Sequence, residues 1–175
     1  MKKLLVGMMV VNLLFFCPMA RAEKVAATTT KNKLKINLTV PFTSQAPSAK
    51  WSDSRFQAGC EEASVLMVMR SIRGQKNITK NDAEKAIITL SSWQLKKYGS
   101  YYDTSAADTA ERLIAGFYGH KKYSVKKNVT KQDIIDELKA GRFIIAPTDG
   151  RKLKNPFFTP PGPEQHMLVI KGYDE

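Results

Sequence analysis

Two residue types in this chain can do nucleophilic chemistry together, and both are scarce. Cysteine occurs only at positions 17 and 60, and histidine only at 120 and 166. A thiol attacks as its thiolate, and an ordinary thiol with a pKa of about 8.5 is mostly protonated at neutral pH. Cys60 follows Gly59 and opens the run Glu61-Glu62-Ala63-Ser64-Val65-Leu66-Met67-Val68-Met69, which reads as a helix. Free backbone N–H groups at a helix start favour negative charge, so the position predicts a depressed thiol pKa. Glu61 and Glu62 oppose that effect, although a carboxylate in a first turn can point away into solvent. Their direction therefore sets the outcome. The thiolate also needs an imidazole to pair with it and later protonate the leaving group. His166 follows the Pro160-Pro161-Gly162-Pro163 loop and precedes the apolar run Met167–Ile170, so it stands at the mouth of a buried strand. His120, between Gly119 and Lys121-Lys122, reads as an exposed turn. Cys60 and His166 are the expected pair, held across a cleft by a helix tip and a strand end.

The elements that must position them follow from periodicity and punctuation. Lys35 to Val40 alternates and predicts a strand ended by Pro41, and Thr43 to Phe56 reads as an ordered polar loop carrying Trp51. The Cys60 helix is expected to stop near Arg73-Gly74, where Gly74 suits a left-handed end. Thr79 with Asp82 caps a second helix over 80–97, and Thr130 with Asp133 opens another over 130–139 that Gly141 stops. Between them a helix over about 106–118 is expected to bury Ile114 and Phe117, and Tyr123 to Lys127 reads as a short strand. Phe143–Pro147 and Met167–Ile170 are continuous apolar runs, expected as strands covered on both faces. Helices come first and strands last, which predicts an α+β domain with N-terminal helices packed on a C-terminal antiparallel sheet. The sequence stops at Glu175 directly after a buried strand, which would leave an open edge. Residues beyond 175 are therefore expected, and the domain reads as C-terminally incomplete.

Residues 1–22 read as a cleaved export signal: Lys2 and Lys3, an apolar run over 4–16, then Ala20-Arg21-Ala22. Thirteen helical residues rise about 20 Å, short of the roughly 30 Å hydrocarbon core, so no stable span is expected. Residues 23–35, rich in Ala, Thr and Lys, read as a flexible tether, and 36–175 as one domain. Cys17 leaves with the signal, so Cys60 is the only thiol of the remainder, and such a leftover thiol is core, an intermolecular link, or reactive. The formal charge of +12 is dispersed. It predicts attraction to anionic envelope surfaces rather than a nucleic-acid site. No metal or cofactor motif occurs. Trp51, Trp93, Tyr101, Tyr102, Phe157 and Phe158 read first as core and second as a substrate groove.

Three blocks together, Val40-Pro41-Phe42-Thr43-Ser44-Gln45, Gly59-Cys60-Glu61-Glu62-Ala63-Ser64 and Glu164-Gln165-His166-Met167-Leu168-Val169-Ile170-Lys171-Gly172-Tyr173-Asp174, resemble the C39-like peptidases of the papain-like superfamily. The resemblance spans about residues 38–175. It implies a papain-like fold, a Cys60–His166 catalytic pair, and a glutamine that helps hold the oxyanion, with Gln45 in the matching block and Gln57 as competitor. It also implies an Asp or Asn that orients the histidine from a strand after the Gly-Tyr-Asp segment. This sequence ends before such a strand, so the orienting residue is expected beyond Glu175. Asp174 reaches His166 only if the chain doubles back, and Asp149 is a weaker substitute.

The expected activity is hydrolysis of peptide bonds in a peptide or protein substrate by an exported bacterial enzyme, through a thioester on Cys60 and without a cofactor. Two alternatives stand beside it. One is an amidase or transamidase acting on wall peptides with the same pair. The other is a degenerate module that binds peptide in the old groove.

Overall fold

The structure, a computed structural model, describes residues 34–175. The expected signal, its cleavage after Ala22 and residues 23–33 of the expected tether lie outside the described residues. In chain order the elements are β1 (Lys35–Asn37), α1 (Ser54–Gln57), α2 (Cys60–Ile72), α3 (Lys80–Tyr98) and α4 (Ala106–Thr109), the last running on as a π-helical segment, Ala110–Phe117. Then come α5 (Lys131–Lys139), β2 (Ile144–Thr148), a 3-10 turn (Gly150–Leu153), β3 (His166–Ile170) and β4 (Gly172–Asp174). The α+β class matches the expectation, and apart from β1 the helices precede the strands.

Helix α2 is the centre of the fold because apolar side chains occur on nearly all its faces. Val65, Leu66, Val68 and Met69 are buried, and α3, the π-helical segment and β3 pack around it. Val65 and Met69 join Leu90 of α3 and Leu113 of the π-helical segment in one cluster, against which Trp93, Phe117 and Ile145 lean. Ala63 joins Phe56, Ile87 and Ala46 in a second, nearer the start of the helix. Each such aliphatic or aromatic side chain contributes roughly 1.5–3 kcal/mol on burial. The helix stops where expected, with Gly74 at φ +71°.

The other caps also match. The Thr79 side chain accepts from the Asp82 N–H, and Thr130 and Asp133 form a reciprocal capping box. Two expectations fail here. The loop before Cys60 contains the short helix α1, which Asp53 starts by accepting from the Arg55 N–H at 2.9 Å. Tyr123–Lys127 forms no strand: among the described residues it has no partner for a ladder, and it is exposed, with Lys126 paired to Glu137 of α5 at 2.7 Å. The third helix differs in its inward face. Its wider turns, seen in the Tyr118 N–H donating to Leu113 O, put Leu113 in the core and leave Ile114 and Phe117 half-buried.

The single C-terminal sheet resolves into two antiparallel ladders. β2 pairs with β3 from Ile144↔Ile170 to Thr148↔His166, and β1 pairs with β4 from Lys35↔Asp174 to Asn37↔Gly172. β3 and β4 are separated only by Lys171, whose carbonyl takes the Leu38 N–H at 2.7 Å, so consecutive stretches of one strand serve different partners. Two-stranded ladders cannot cover both faces of every residue. Most of β2 and β3 is half-buried, and only Met167, 4 % exposed, is fully inside. Among the described residues no helix is long and apolar enough to cross a membrane.

Candidate active site

Cys60 is the first residue of α2. Gly59 is required before it: a Cβ there would lie 2.5 Å from the Arg55 carbonyl oxygen, so only glycine allows the α1–α2 corner to close. From this corner the Cys60 sulfur meets β3. The Met167 N–H donates to Sγ at 3.4 Å, across 107 positions of sequence. One helical turn later, the Ser64 hydroxyl donates to the Met167 carbonyl at 3.2 Å. Residues four apart share a helix face, so α2 grips both polar groups of Met167 and fixes the strand against its tip.

His166 is the residue next to that grip, and side chains alternate along a strand. Met167 points inward and His166 is half-buried, its ring edge-on to Phe158 at 5.2 Å between centroids. Its carbonyl takes the Thr148 hydroxyl at 2.9 Å. Burial lowers the His166 pKa below its ordinary 6.5, which favours the neutral ring. Among the described residues no hydrogen bond joins the ring to Cys60 or to a carboxylate. Asp174 pairs with Lys35 at 3.0 Å, and Asp149 holds Arg151 at 2.9 Å. His120 bonds the Lys122 carbonyl in its own turn.

The electrostatics of Cys60 differ from the expectation. Its pKa is pushed up to about 12, first by burial and next by the charge of Glu61, against the Met167 N–H that works the other way. Neither acid points to solvent. Glu61 is 4 % exposed, and the Cys60 thiol donates to its Oε2 at 3.1 Å. Glu62 is 0 % exposed, accepts from Ser91 Oγ at 3.2 Å and from Gln94 Nε2 at 2.8 Å, and is pushed up to about 8 by burial. Glu62 is enclosed against α3, and Glu61 lies against the loop at Asp103 and Thr104. A buried acid shifts toward its neutral form, and a thiol facing a carboxylate stays protonated.

Gln45 lies alongside the same corner, but its Nε2 hydrogens go to the Phe56 and Gln57 carbonyls at 2.9 and 2.8 Å. Gln57 turns to the Trp51 carbonyl at 2.6 Å. Neither amide bonds Cys60 or His166. The aromatic residues divide: Trp93 sits against Phe117 beside the core and Tyr101 is buried, whereas Trp51 and Tyr102 are exposed and Phe157 is 92 % exposed. Sequence reasoning missed Ser64 and the Met167 N–H. The i, i+4 spacing of Cys60 and Ser64 was the only signal, and it gives no partner.

The α+β fold thus docks a helix-tip thiol on the strand that begins at His166. The Peptidase_C39 like family matches residues 37–175. The chain belongs to that family, which establishes a general peptidase relationship. Comparison with curated proteins and with solved structures gives no match.

Proposed function

We propose that this protein is an exported cysteine peptidase that cleaves peptide bonds through a thioester on Cys60. The observation that carries the reading is the Met167 N–H on Cys60 Sγ, which sets the nucleophile against the strand that His166 begins. Sγ bonds to the scissile carbonyl carbon as the thiol proton passes to His166. The C–N bond then breaks as His166 returns that proton to the leaving amine; water next attacks the thioester carbon as His166 takes its proton, the C–S bond breaks, and that proton returns to Sγ. The neutral ring favoured by burial is the form able to accept a proton. Backbone N–H groups at the start of α2 are the first candidates to hold the oxyanion. Gln45 joins them only by giving up one of its two carbonyl acceptors. Export rests on the basic, apolar and small-x-small pattern of residues 1–22.

A degenerate peptide-binding module is the second reading. It is favoured by the high thiol pKa and by a His166 ring with no polar partner among the described residues. Hydrolysis of a quenched peptide library separates the two. Cleavage abolished by Cys60→Ala and reduced at least about 100-fold by His166→Ala supports the peptidase; unchanged binding with no cleavage supports the module. Release of muropeptides without peptide-library cleavage would instead assign the amidase or transamidase reading.

A further inference from the structure

The expected catalytic pair leaves one contact of the sulfur unexplained. Cys60 Sγ has two polar neighbours: the Met167 N–H, which donates to it at 3.4 Å, and Glu61 Oε2, which accepts its S–H at 3.1 Å. Glu61 is almost wholly buried, with Asp103 and Thr104 of the loop before α4 beside its carboxylate. A hydrogen bond between two such groups is directional: the carboxylate accepts only when the sulfur carries the proton. We propose that Glu61 is a working part of the Cys60 centre, a positioning residue whose carboxylate holds the sulfur in place and keeps it in the resting thiol form. This rests on Cys60 being the nucleophile of the proposed function.

The charged groups around the pair among the described residues are Glu62 on α2 and Asp103 in the loop before α4. No cation is among them. Negative charge on Glu61 therefore opposes ionisation of Cys60 without compensation from a neighbouring cation, and burial strengthens the opposition. Formation of a thiolate requires the Glu61 charge to be neutralised or the proton to leave toward His166. The contact thus links the readiness of the nucleophile to the ionisation of its chain neighbour.

The test is alkylation of the full chain by iodoacetamide, followed from about pH 5 to 10 in wild type, Glu61→Gln and Glu61→Asp. Gln removes the charge and keeps the size, so its modification at about pH 8 is expected to be at least tenfold faster, with the profile displaced to lower pH by about one unit. Asp keeps the charge on a shorter stem and is expected to fall between the two. A Gln variant as slow as wild type, or slower, overturns the proposal. The infrared S–H stretch of the wild-type protein gives a reading that needs no variant to fold. A band lowered and broadened by an ionic acceptor is expected, and the band of an unbonded thiol overturns the contact. Neither measurement uses a substrate. A chain that passes both yet cleaves no peptide loses the peptidase reading and keeps this one; a peptidase that fails both does the reverse.

Discussion

The buried carboxyl of Glu62 offers the sharpest test of how this fold is balanced. Its Oε1 takes donors from Ser91 and Gln94, but its Oε2 has no partner, and Gln94 Oε1 also has none. Burial raises its pKa from the ordinary 4.5 to about 8. Between those values the folded chain keeps a proton that the unfolded chain has released. Stability must therefore fall as pH rises from about 4.5 to 8, and level off above, the reverse of a salt-bridged acid. At about 1.36 kcal/mol for each pH unit of the gap, the full loss is about 5 kcal/mol as an upper limit, and relaxation around the site lowers it. Glu62→Gln keeps an acceptor for Ser91 and Gln94 and puts an N–H in place of the orphaned oxygen. We expect the variant to gain about 2–5 kcal/mol over wild type at about pH 9 and little at about pH 5, measured by urea unfolding. A difference between variant and wild type that does not change between those pH values refutes the reasoning. So does a Gln variant that is less stable at alkaline pH.

Cys60→Ser should flatten a separate alkaline loss, because an unfolded thiol ionises near 9 and the folded one near about 12; thermal unfolding across that window reads it. Ser64→Ala should cost about 0.5–1.5 kcal/mol in urea unfolding and lower peptide cleavage further than that cost explains, since it frees the Met167 carbonyl beside His166. Leu113→Ala, at a fully buried position in the α2–α3 cluster, should destabilise by about 2–5 kcal/mol with no change in the iodoacetamide pH profile of the folded protein.

Local signals were legible wherever one residue decides the geometry. Thr79, Thr130 and Gly74 set their helix ends through contacts within three or four residues, and these appear as read. Tyr123–Lys127 shows the limit: a local pattern does not supply the second strand, and among the described residues none pairs with it. The expected single sheet divides for a related reason: the strand read from sequence ends at Ile170, and only the position of β1 makes Gly172–Asp174 a strand of a second ladder. The third helix hid its face because a π-helical turn shifts which residue points inward, and hydrophobicity at Leu113, Ile114 and Phe117 is consistent with either winding.

The candidate site was legible in its chemistry and illegible in its charge. Scarcity narrowed the choice to Cys60 and two imidazoles, and the apolar run after His166 favoured it over His120. The helix-start rule then predicts a lowered thiol pKa, and it would hold if the first turn faced water. Here that turn is enclosed, so the same N–H-rich tip that favours a thiolate also holds the buried Glu61 beside the sulfur, where its charge opposes ionisation. Burial amplifies the nearer charge more than the diffuse dipole, since an exposed carboxylate would be screened and an enclosed one is not. A sequence shows that acids follow the cysteine. Whether they activate or restrain it depends on α3 and the loop at Asp103, some thirty to forty residues on, and at Cys60 the restraint is the stronger effect in the resting protein.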